Sequence, residues 1–112
     1  MIAIIGHIDV DPSVRDHLVE STVELQRATR REEPGCIEYT IAADLAEPGR
    51  ICITELWDSS EALDNHFQHA NFFATGDAMR AETRLGGSAV KYRIDATAPV
   101  RGVDGNATSS FD

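Results

Sequence analysis

From Ile2 to Val10 the chain alternates Ile2, Ile4, Gly6, Ile8 and Val10 against Ala3, Ile5, His7 and Asp9, a period of two that predicts a β-strand. Both sets are largely apolar, the mark of a strand covered on two faces. Asp11-Pro12-Ser13 then opens a helix: Asp11 accepts a free backbone N–H, and Pro12 suits the first turn because its missing donor is not needed there. Val14, Leu18, Val19, Thr22, Leu25, Ala28 and Thr29 fall on one stripe at helical spacing, so one helix is expected up to Pro34-Gly35. Cys36 to Ala43 and Arg50 to Trp57 read as strands joined by the Pro48-Gly49 turn, an antiparallel hairpin that keeps Cys36 and Cys52 apart.

Ser59 caps a second helical region with Ala62, Leu63, His66 and Phe67 on one stripe, and Asn71 is placed to cap a further helix reaching Arg84. Gly86-Gly87 breaks it, and Ser88 to Ala96 forms a fourth strand. Strand, helix, strand, strand, helix, strand is the split βαβ, ferredoxin-like α+β pattern, with an antiparallel sheet and helices on one face. Every strand has a second face too apolar for water. The expected solution is a homodimer closing two sheets into a barrel with room for a ligand. The domain spans residues 1–96. The polar, Gly- and Pro-containing segment 97–112 is read as a flexible tail or one docked on the partner subunit.

Composition narrows the partners. Ten Lys and Arg against nineteen Asp and Glu leave a net charge of −9, which disfavours phosphate backbones and anionic lipid, so neither nucleic acid nor membrane is an expected partner. The first residues read as a strand rather than a leader, no apolar run is long enough to span a bilayer, and a cytoplasmic location is expected. Two scattered cysteines build neither a disulfide framework nor a zinc site and read as small buried thiols.

Two segments carry a resemblance. Glu33-Pro34-Gly35-Cys36-Ile37-Glu38-Tyr39, and the run from Glu55-Leu56-Trp57 through Ser60-Glu61-Ala62-Leu63 to His66, resemble the antibiotic biosynthesis monooxygenase superfamily, most closely its quinol-monooxygenase-like members. The resemblance implies a dimeric α+β barrel and an oxidoreductase that acts without flavin, metal or haem on quinols, polycyclic phenols or anthrones. Other relatives degrade haem or isomerise small sugar-like ligands. The helix histidine of the haem-degrading relatives has no counterpart, since the corresponding place falls near Gly76, and no glycine-rich phosphate loop follows a strand.

The candidate site residues each have a plain structural role beside the functional one. Trp57 either anchors its strand in the core or forms a wall on which a flat substrate stacks. His66 lies on the apolar helix stripe and is either a satisfied core residue or the base that takes a phenolic proton. His7, which follows apolar Ala3 and Ile5 on its strand face, is favoured as a pocket residue and second candidate base. His69 caps a helix end or lines the pocket mouth; with His66 it has chelating spacing, but no third ligand is placed, so no metal is expected. Tyr39 is core with a hydroxyl able to reach a substrate oxygen. Glu55 needs a partner, Lys91 or Arg93, unless it is a general base. Phe67 and Phe72 pack the region that closes the pocket.

The reading is a cofactor-independent monooxygenase using O2 and a small aromatic substrate: an electron-rich phenol, hydroquinone or anthrone. The alternatives are a non-catalytic ligand-binding dimer and an isomerase of a small hydroxyketone. A wide pocket with one polar end favours the first, a small one with several converging charges the last.

Overall fold

The computed structural model describes residues 1–112. The elements are β1 (Ile2–Asp9), α1 (Pro12–Ser21), α2 (Val23–Glu32), β2 (Cys36–Ala43), β3 (Arg50–Trp57), α3 (Ser60–Phe67), α4 (Ala70–Met79) and β4 (Gly86–Arg93). The strands form one sheet in the order β2-β3-β1-β4, every pair antiparallel. This is the ferredoxin-like α+β fold expected from the element order.

Three expected elements differ. The first helix is divided at Thr22, a fully buried residue whose backbone N–H bonds Val19 O at 3.0 Å. Its hydroxyl donates to the same carbonyl at 2.7 Å, so side chain and backbone both tighten the turn there. The later helix stops at Met79 rather than Arg84, and its cap is His69, not Asn71: the Nδ1 of His69 accepts the Asn71 N–H at 3.0 Å. Gly86 and Gly87 belong to β4, opposite Asp9 and Ile8.

Strand alternation sorts the side chains into two faces. Ile4, Tyr39, Ile41, Ile51 and Trp57 point toward the helices and join Val10, Leu18, Ala62 and Leu63 in the core. Side chains buried as fully as Leu18 and Ile51 contribute about 1.5–3 kcal/mol each. On the opposite face Ile5, Tyr92 and Val90 are 58%, 51% and 46% exposed. Along the edge of β2, helix α2 supplies what a fifth strand would. The Gln26 amide donates to Ile41 O at 2.9 Å and accepts Ile41 N–H at 3.1 Å, and Arg30 Nε donates to Tyr39 O at 2.7 Å.

The register places Cys36 opposite Trp57 and Cys52 opposite Ala42, so the thiols stay apart. A register shift between Cys36 and Glu38 leaves Ile37 exposed rather than aligned with Tyr39 and Ile41. Beyond β4 the 97–112 segment has one isolated bridge, Arg101 to Ala107, and Val100, Val103 and Phe111 are exposed.

Candidate active site

The Glu-Pro-Gly turn builds the site. Helix α2 ends at Glu33, and Pro34 prevents its continuation. Gly35 follows at φ +85°, where a Cβ would come within 2.5 Å of the Asp58 carboxylate and 2.6 Å of Ala62, so glycine is required both by backbone and by space. Its carbonyl accepts the Asp58 N–H at 2.9 Å, which ties the end of α2 to the junction of β3 and α3. Ser59 caps α3 through the Ala62 N–H, and Ala62, Leu63 and His66 form its buried side.

These constraints bring Glu33 and His66 together beneath the protein surface. His66 is 2% exposed, and its Nδ1 lies 2.7 Å from Glu33 Oε1. Asn71 Nδ2 donates to Glu33 Oε2 at 3.1 Å and fixes the carboxylate from the other side. Because a carboxylate only accepts, the proton of a neutral imidazole sits on Nδ1 and the Nε2 lone pair is free. Nε2 lies 4.0 Å from Glu55 Oε1, which also accepts the Trp57 indole N–H at 2.9 Å. Burial raises the Glu55 carboxyl above its ordinary range, against the lowering effects of the Trp57 hydrogen bond and the His66 charge.

Glu55 sits where two spaces meet between the sheet and helices α3 and α4. A cleft of about 330 Å³ is lined by Ile4, Ile53, Glu55, Phe67, Phe72, Ala89, Val90 and Lys91. A recess of about 170 Å³ reaches His66, Tyr39 and Thr75 and shares Ile53, Glu55 and Phe72 with the cleft. Tyr39 stands edge-on to Trp57 and His66, with ring centroids 6.4 and 5.3 Å away. Burial, then the Glu55 charge, pushes its phenol upward, so Tyr39 remains a neutral group able to hydrogen-bond in the recess beside Thr75. Burial first, then the Glu33 and Glu55 charges, pushes the Cys36 thiol up to about 11, which keeps it protonated at neutral pH.

The sequence expectations divide accordingly. His66, Glu55, Tyr39, Phe67 and Phe72 share the cleft and its recess. Trp57 lines neither: it is fully buried, its ring centroid 4.6 Å from that of His66, and it acts on the site through its hydrogen bond to Glu55. His69 also lies off the cleft wall, as the cap of α4 with Nδ1 3.8 Å from Glu33 Oε2. His7 is on the other side of the sheet, because odd positions of β1 face away from the helices; its Nε2 is 3.6 Å from Asp9 Oδ2. Glu55 is partnered by Trp57 and His66, not by Lys91 or Arg93. The pocket accordingly lies between sheet and helices, and His66 turns into that space rather than toward the open sheet face.

Sequence reasoning missed Glu33, Asn71 and Thr75 as site residues. The signal for Glu33 was an acidic residue on the buried side of a helix immediately before Pro-Gly. No group of three or more His, Cys, Asp or Glu side chains is arranged to hold a metal. No helix is long and apolar enough to cross a membrane.

Comparison with known proteins places this geometry. The solved structure of a protein from Deinococcus radiodurans, provisionally named an antibiotic biosynthesis monooxygenase, superposes with a TM-score of 0.79 at 26% identity, over 91% of this chain and 100% of that one. One from Caulobacter crescentus, provisionally given the same name, has a TM-score of 0.74 at 25% identity over 87% and 90% of the two chains. The uncharacterized protein sll1783 of Synechocystis is 32% identical over 71 residues, 63% of this chain; the chain spans about half of that curated relative's length, 48%. The model of the antibiotic biosynthesis monooxygenase family matches residues 1–78. The chain therefore belongs to the antibiotic biosynthesis monooxygenase family.

Proposed function

We propose that this protein is a cofactor-independent monooxygenase that oxidises an electron-rich phenol, hydroquinone or anthrone with O2. The observation that carries the reading is the His66 imidazole, held through Nδ1 by Glu33 at 2.7 Å, with Nε2 directed toward Glu55 at the deep end of a largely apolar cleft. A flat ring fits between Ile4 and Ile53 of the sheet and the edge-to-face pair Phe67 and Phe72, whose centroids are 5.2 Å apart. Its hydroxyl reaches the recess, where Nε2 accepts the proton and Glu33 stabilises the resulting imidazolium. The apolar walls leave the substrate anion poorly solvated and electron-rich, which favours electron donation to O2. For an anthrone-type carbon, one oxygen atom enters the ring carbon and the other leaves as water; the substrate supplies all the electrons, so no external reductant is required.

The apolar middle of the cleft, which keeps Glu55 and Lys91 apart, favours this reading over isomerisation, which needs charges converging on a small ligand. We also propose that two copies pair through the open sheet face, covering Ile5, Val90 and Tyr92, with residues 97–112 outside the folded domain. Oxygen-electrode measurements on the purified protein with a panel of hydroquinones and anthrones test the function. Substrate-dependent O2 uptake that is lost in His66→Gln is the expected result, and no uptake with any member of the panel refutes it.

A further inference from the structure

The mouth of the cleft carries a charge that deprotonation chemistry does not use. Lys91 is the only lysine in the chain, and it stands on the cleft wall. It takes part in none of the molecule's ion pairs, although acidic residues outnumber basic ones by nearly two to one. Its position relative to the deep end is fixed by the sheet. Ile4 pairs with Glu55 on one side and with Lys91 on the other, so the two side chains leave the same face two strands apart, about 10 Å between their backbones. The cleft is thus negative at its deep end, where Glu55 lines it and Glu33 stands behind His66, and positive at its rim, with Ile4 and Phe72 between.

We infer that the substrate is an anionic aromatic, a hydroxylated ring bearing a carboxylate, bound with its hydroxyl toward His66 and its carboxylate on Lys91. This deepens the proposed function and rests on it. The polarity fixes the direction of entry: a carboxylate carried inward would meet two buried carboxylates, whereas at the rim it meets an unpaired ammonium beside solvent. The ring spans the apolar middle, and the charged group stays outside the region that must be dry for proton transfer. A lysine that served only to protect the exposed edge of β4 could stand at any position on that strand; this one is in register with the deep carboxylate.

The test compares 2,5-dihydroxybenzoate with its methyl ester, which has the same ring and hydroxyls but no charge. Binding is measured without O2, by calorimetry and by the fluorescence of Trp57, the only tryptophan, whose ring packs on His66. The acid is expected to bind about twofold to fivefold more tightly than the ester, the range for a rim ion pair. Lys91→Met should abolish this preference, Lys91→Arg should retain it, and added salt should weaken it. Acid and ester binding alike, or a preference that survives in Lys91→Met, overturns the assignment while leaving the aromatic-ligand reading intact. If neither compound binds, that reading falls, and this one with it.

Discussion

The two faces of the sheet are made from similar residues and treat charge in opposite ways. On the covered face Glu55 is buried among Ile4, Ile53 and aromatic rings, and its carboxyl is raised because the charged form has lost water. On the open face Asp9 bonds Arg50 Nε at 3.0 Å within reach of solvent, and its carboxyl is lowered, first by that hydrogen bond. The two candidate histidines divide in the same way: His66 is locked between carboxylates, while His7 lies beside Asp9 at 3.6 Å on the exposed side. Alternation along a strand, a displacement of one residue, separates a group suited to proton transfer from one suited to a surface or an interface. The lesson is that apolarity on both faces of a strand has two outcomes here: a packed core with a cleft and recess beside Glu55 on one side, and an exposed apolar surface on the other.

The largest expected effect is on the covered face. His66→Gln should lower turnover by about two to four orders of magnitude, measured as substrate-dependent O2 uptake, because glutamine keeps hydrogen bonding but cannot move a proton near neutrality. Glu33→Ala should both impair turnover and lower stability by about 3–5 kcal/mol in urea melts, since it leaves a buried histidine and Asn71 without their shared partner.

The open face should respond through assembly. Ile5→Asp is expected to leave the monomer's melting temperature nearly unchanged and to shift sedimentation from dimer to monomer at micromolar concentration; a wild-type monomer would refute the pairing itself. Titration distinguishes the faces further. A carboxyl raised on folding binds its proton more tightly in the native state, so the Glu55 contribution is full below the unfolded value near 4.5 and is lost as pH rises through the folded one. Glu55→Gln should therefore gain stability relative to wild type between pH 4 and pH 7. Asp9 has the opposite sign, its contribution present above its unfolded value near 3.8 and lost as pH falls through the lower folded one, so the stability deficit of Asp9→Asn should hold steady above about pH 5 and shrink as pH drops below about 4. The smallest effect is expected of His7→Ala, with turnover close to wild type; a loss comparable to that of His66→Gln would return catalysis to the open face.

Local signals carried the fold far. The Asp11-Pro12 and Ser59 helix starts, both hairpin strands and the order of elements were all legible, because caps, turns and period-two alternation act within a few residues of chain. What was not legible depended on partners distant in sequence. The division of the first helix is the exception, made locally where the hydroxyl and the N–H of buried Thr22 both donate to the Val19 carbonyl. His69 displaces Asn71 as cap because Asn71 is engaged by Glu33, which lies 38 residues earlier. Which face of the sheet each candidate histidine serves follows from where the helices pack, so the sequence offered His66 and His7 together as bases while the fold sets them on opposite sides of the sheet. Glu33 announced itself only as the end of a helix, although the same turn that ends the helix delivers its carboxylate to the imidazole.

The pairing of Gln26 with Ile41 has a consequence for growth of the sheet. One primary amide presents the same donor and acceptor as a strand residue, and with Arg30 it occupies the Ile41 N–H and carbonyl and the Tyr39 carbonyl at the middle of the β2 margin. A foreign chain arriving there finds its hydrogen-bonding positions taken by side chains of a helix that cannot itself be extended sideways. Polymerisation by strand addition is thereby blocked at one border, leaving β4 as the only margin at which another strand can be recruited. Gln26→Leu would uncap that border and offer a seed for aggregation while adding, on paper, to the apolar core.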